Sequence, residues 1–177
     1  MSGPANSSRS RPPRWTSVPF PPYTFVPGRA PHPRCHPEGH SHDAAEPERH
    51  PLGDWRENET WLLGVDLYNH GYHWEAHEAW ESIWHGEGRR GVIADLLKGL
   101  IQTTAAHVKC RQGAANGVRI LGDRSRLLLE NVGRECPRLA GLDVPTLVAA
   151  HRHHFATAAI PDPESVTYPA LLLEVSS

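Results

Sequence analysis

The stretch Gly71-Tyr72-His73-Trp74-Glu75-Ala76-His77-Glu78-Ala79-Trp80-Glu81-Ser82-Ile83-Trp84-His85 packs three histidines, three glutamates and three tryptophans into about four turns of expected helix. At roughly 100° per residue, His73, His77, Trp80 and Trp84 fall within one narrow arc, and Glu81 borders it on the His77 side. Glu78 lies further round, beside Trp74 and His85. A face that reads as core yet carries two imidazoles and a neighbouring carboxylate marks a candidate site. Such groups are costly to bury unless they are hydrogen-bonded, ion-paired or metal-bound.

Working outward, Trp61, Leu62, Val65 and Tyr68 recur at helical spacing behind a cap at Asp54 or Asn58, with Asn69-His70-Gly71 as the stop. Downstream, a third helix is expected over about 91–111, with Leu96, Gly99, Leu100, Thr103 and His107 on one side and Asp95, Gln102, Ala106 and Lys109 on another. Polar groups on both sides place it between other helices. Small Gly99, Ala105 and Ala106 let a neighbour come close. Val118, Leu121, Leu128 and Val132 mark a fourth helix closed by Cys136-Pro137, and a fifth starts at Asp143-Val144-Pro145 and runs to about Ala158. No segment has a convincing strand period. The expected fold is all-α, an antiparallel bundle of about five helices with an extended Pro-rich N-terminal tail.

The domain reading is a Pro/His-rich tail over 1–52, a helical-bundle domain over 53–160 and an extended C-terminal tail over 161–177, beginning its apolar part at Tyr168-Pro169. Runs such as Pro19-Phe20-Pro21-Pro22 rule out regular helix in the first segment. Its aromatics Phe20, Tyr23 and Phe25 are too apolar for a solvated linker, so part of the tail is expected to pack on the bundle. Gly39-His40-Ser41 can return an imidazole to it. Removal of Met1 to Arg14 is then expected to be harmless and removal of Met1 to His42 destabilising. The imidazole-rich run His32, Cys35, His36, His40 and His42 lacks paired Cys/His spacing, which favours a solvated polar turn over a metal site.

A formal charge of -2 gives the whole molecule no electrostatic claim on nucleic acid or membrane. No apolar run approaches the ~18 to 20 residues of a membrane span, and Cys35, Cys110 and Cys136 form no paired framework. A cytoplasmic location is the expectation. Between Arg89 and Arg138, ten basic residues face four acidic ones, but they are spread around the helices without aromatic interleaving, which argues against an RNA or anion surface. The partner expected is a small-molecule ligand, with self-association left open.

Further motifs bring in a known family. Asn69-x-Gly71-x-x-x-Glu75-Ala76-His77-Glu78-x-Trp80-Glu81-x-x-Trp84, followed by Gly99-Leu100-Ile101-Gln102, resembles the bacterial, archaeal and plant family called domain of unknown function 309. The resemblance runs from about Pro19 to Leu173. It implies a small helical-bundle domain and no particular activity. One departure is Lys109, standing where the resemblance places a histidine after the alanine run.

His77-Glu78-Ala79-Trp80-Glu81 has the i, i+4 ligand spacing of a zinc-protease helix, with a glutamate in place of the second histidine and Glu78 in the position of the base. The expected metal ligands are His77 and Glu81, with His73 and His40 as outer members. The expected catalytic groups are Glu78, Gln102 and Lys109. The ion would be divalent, Zn or Fe/Mn, and the leading reading is a metal-assisted or acid-base hydrolase acting on a small substrate. The alternative is a non-catalytic ligand-binding or interaction scaffold, since a His and a Glu one turn apart also make an ordinary buried network.

Overall fold

The computed structural model describes residues 12–156 and 169–174. Among the described residues five helices form the bundle: α1 (Glu59–Asn69), α2 (His73–Gly86), α3 (Val92–Arg111), α4 (Ala115–Glu135) and α5 (Val144–Ala156). Their ends follow local chemistry. Asn58 caps α1 by accepting from the Trp61 amide at 2.8 Å, and Asp143 caps α5 by accepting from the Thr146 amide at 2.9 Å. Consecutive helices pack on one another, as short connections in an antiparallel bundle require. Among the described residues, the one departure from an all-helical reading is a hairpin of two-residue strands, β1 (Arg138–Leu139) and β2 (Leu142–Asp143), which turns through Ala140 and Gly141, both at positive φ. Two residues per strand are too few to show a period of two.

The core is organised on α2. Trp80 is fully buried, its ring 5.8 Å from that of Trp61 and 6.0 Å from that of Tyr68, both on α1. Ala76, Ile83, Leu96, Leu97, Leu100 and Leu129 complete the centre. The α1–α2 approach depends on Gly64, where an added Cβ would lie 2.2 Å from Trp80 Nε1. Overpacking costs about 1 to 3 kcal/mol, more than the up to ~1 kcal/mol that alanine gains over glycine in a helix. Gly64→Ala is therefore expected to lower the melting temperature; an unchanged or raised one would show that Trp80 can move aside. On the other side of the bundle α3 meets α4 at Gly99, whose carbonyl accepts from both Thr103 and Ser125 hydroxyls, at 3.0 and 2.8 Å.

Residues 12–58 form no helix or strand, yet they cover α1 and α2. The Trp15 and Thr16 amides and the Thr16 hydroxyl all donate to the Asp66 carboxylate at 2.8 to 2.9 Å. Further along, Phe25 and Val26 are buried, and the Phe25 ring meets Trp74 edge-on. At the other end Leu171 is buried and exchanges two hydrogen bonds with the Asn69 side chain. The Tyr168 reading lies outside the described residues. No helix among the described residues is long and apolar enough to cross a membrane.

Candidate functional site

The arc expected on α2 is displaced in the structure. His73, Ala76, Trp80 and Ile83 are buried, with Glu75 and Ser82, whereas the His77 and Glu81 side chains are 26% and 39% exposed. The cause is packing on both flanks: α1 and α3 both lie against α2, which shifts the buried sector away from His77. The helix thus carries its two kinds of polar group in different places. His77, Glu78 and Glu81 stand at the solvent edge, and His73 and Glu75 lie inside.

At the edge, one donor atom from each of His77, Glu78 and Glu81 lies within 4.8 Å of the others. Imidazole orientation is set by the partner of Nδ1, which lies 3.3 Å from the Ile101 carbonyl on α3. A carbonyl only accepts, so Nδ1 carries the hydrogen when the ring is neutral and Nε2 keeps its lone pair. That lone pair faces Glu81 Oε2 at 3.9 Å. Two acceptors at this spacing can hold a cation between them, either a proton on the ring or a metal ion. On the far side of Glu81, the Arg89 guanidinium donates to His85 Nδ1 at 2.8 and 3.0 Å. His85 therefore carries its hydrogen on Nε2, which lies 3.9 Å from Glu81 Oε1.

Glu78 completes the trio. Burial holds its carboxyl above the ordinary range, and among its charged neighbours His77 and Arg34 work against that shift while Glu81 and Glu75 add to it. Arg34 Nε from the N-terminal segment lies 3.5 Å from Glu78 Oε2. The same segment walls an open groove over Glu78 and Glu81, lined by Arg34, Glu46, Arg49, Glu78, Glu81 and His85 among others.

The other residues singled out from sequence stand elsewhere. His73 is 1% exposed and packs edge-on against Tyr68 and His107. His40 does return to the bundle, but to Glu75, with Nε2 3.3 Å from Oε1. Gln102 has its Oε1 buried without a hydrogen-bond partner among the described residues. Lys109 donates to Gln112 Oε1 at 2.9 Å and lies against Gly117 of α4, so the cation beside Glu78 is Arg34 and not Lys109. His32 and His36 accept from backbone amides two or three residues on, as turn histidines do.

Two features escape the helical pattern. Glu75 is only 6% exposed and accepts from the Phe25 amide at 2.8 Å, the Thr24 hydroxyl at 3.3 Å and His40; burial still raises its carboxyl. Inside the bundle, His73, His107 and His154 meet ring to ring, at 4.6 and 5.2 Å, with Phe155 stacked on His107 and against His151. His107 directly follows Ala105-Ala106, so a histidine does follow the alanine run. The signal was available: His107 sits one turn after Thr103 on an apolar face, and His151 and His154 are one turn apart.

A family model described as Domain of unknown function (DUF309) matches residues 61–121, a narrower span than the motifs alone suggested. No curated protein and no solved structure matches the chain.

Proposed function

We propose, for a chain whose residues 61–121 match the DUF309 family model, a description that names no reaction, that the α2 edge binds a divalent metal ion through His77 and Glu81, in the service of hydrolysis of a small substrate. The observation that carries this reading is His77 Nε2 lying 3.9 Å from Glu81 Oε2, in a trio where one donor atom from each of His77, Glu78 and Glu81 lies within 4.8 Å of the others. Two nitrogen or oxygen donors with open positions suit zinc, iron or manganese. A bound divalent ion supplies an acidified water at neutral pH. Glu78, its carboxyl raised by burial, would be the group to take a proton from a water held there.

The test separates ligand from base. His77→Ala and Glu81→Gln are expected to lose metal uptake by protein purified without an affinity tag, measured by elemental analysis and by titration. Glu78→Gln is expected to keep the metal and lose turnover, by ~10² to 10⁴-fold. Absence of uptake by the parent protein, for any of these ions, would overturn the reading. The Arg34–Glu78 pair favours one second reading, in which the groove holds a ligand without turning it over.

A further inference from the structure

The N-terminal segment places a guanidinium beside Glu78. Arg34 is held from both sides: its own amide donates to His32 Nδ1 at 3.2 Å, and His32 packs edge-on against Trp74 of α2. Neighbouring Pro33 is buried, and its carbonyl accepts from the Ser41 amide at 3.0 Å. The guanidinium thus meets Glu78 from a backbone that is itself docked, with the arginine and glutamate side chains 28% and 29% exposed. Arg49 stands in the same groove, but it is 60% exposed and faces Glu46 at 3.8 Å.

Charge decides what such a groove accepts. Arg34 and Arg49 stand against Glu46, Glu78 and Glu81, a formal deficit of one positive charge with neutral histidines. A divalent ion at the trio reverses the sign and leaves an excess of one. It also draws on the Glu78 charge, which loosens the hold of that carboxylate on Arg34. A guanidinium so released, next to a metal, is a fork-shaped donor for an oxyanion.

Resting on the metal reading above, we propose that the groove selects small oxyanion-bearing substrates, carboxylates or phosphates, and that Arg34 is the residue that recognises and orients the anion beside the metal. Arg34 is a specificity residue supplied by the segment that precedes the helical bundle. The site is therefore incomplete in the bundle alone.

Cobalt(II) as the loaded ion gives a visible spectrum that reports on anion binding. Full-length protein loaded with cobalt is titrated separately with inorganic phosphate and with acetate. At least one is expected to shift the spectrum, and the one that does distinguishes a phosphate from a carboxylate site. Arg34→Ala is expected to keep cobalt and to weaken the responding anion by about tenfold to a hundredfold, the loss of one charge-assisted contact. Arg49→Ala should change it little. Arg34→Gln, which keeps the length of the side chain, repeats the test should the alanine variant fail to fold. No response of the loaded parent to either anion, or an unchanged affinity in the Arg34 variants, would overturn the proposal. Failure to take up cobalt at all would instead sink the metal reading on which it rests.

Discussion

Acidification from pH 7 to pH 4.5 is expected to remove most of the stability of this protein. His73 and His151 are 1% and 2% exposed, and burial first, with nearby positive groups second, holds their imidazoles down to about 3 and about 4. The positive neighbours are Arg111 and His154 for His73, and His154 and Arg126 for His151. His107 moves the same way for the same reason. Each ring is neutral in the fold and takes a proton near pH 6.5 once the chain unfolds. The unfolded state therefore binds more protons, and stability falls as pH drops below 6.5 and continues to fall until the folded rings themselves titrate. At pH 4.5 the two rings together contribute a loss on the order of 5 kcal/mol, comparable with the whole stability of many domains. Glu75 and Glu78 oppose this in part, because burial raises both carboxyls and their protonation then favours the fold. Urea unfolding at pH 7.5, 6.0 and 5.0 measures the slope. A midpoint that stays level from pH 7.5 to 5.0 would show that the rings take up protons in the fold as readily as in the unfolded chain, and His151→Phe should flatten the parent slope by about one proton.

The same cluster shows where a sequence stops being informative. Helix ends were legible because caps and stops are local: Asn58, Gly86, Cys136 and Asp143 each act within a turn of their own position. The pairing of His77, Glu78 and Glu81 was also legible, since i, i+1 and i+4 place them on one side of one helix. Assignment of His73 to that set failed, because a residue one turn away shares a face only to within the arc that neighbouring helices bury. Here α1 and α3 close over His73 and leave His77 at the rim. The meeting of His73 with His107 and His154 depends on how three helices are stacked, and no spacing within any one of them encodes it. Arg34 was hidden for a related reason: 44 residues separate it from Glu78, and only the docking of the tail brings them together.

Deleting that tail should therefore cost far more than a Pro-rich segment without secondary structure suggests. The first anchors are Arg14, Trp15 and Thr16 on Asp66, a carboxylate 1% exposed, and the second are Thr24, Phe25 and His40 on Glu75. Arg14 also stacks on Phe20 at 3.9 Å, so the dispensable limit lies before Arg14 and not after it. Removal of residues 1–11 leaves every one of these contacts in place and is expected to leave the melting temperature unchanged. Removal of 1–42 strips Phe25 and Val26 from the core, about 1.5 to 3 kcal/mol each, and opens the Trp74 side of α2 to water. The two freed carboxylates regain solvent, so they add little to that cost. Asp66→Ala in the full chain behaves differently: the tail stays covalently present but loses its first anchor, and the amides of Trp15 and Thr16 must find water or remain unpaired, at ~1 to 3 kcal/mol. The expected order of melting temperature is parent equal to the 1–11 deletion, then Asp66→Ala, then the 1–42 deletion. Equal melting of the parent and the longer deletion would show that α1 and α2 hold their own core, and that the tail serves the groove through Arg34 alone.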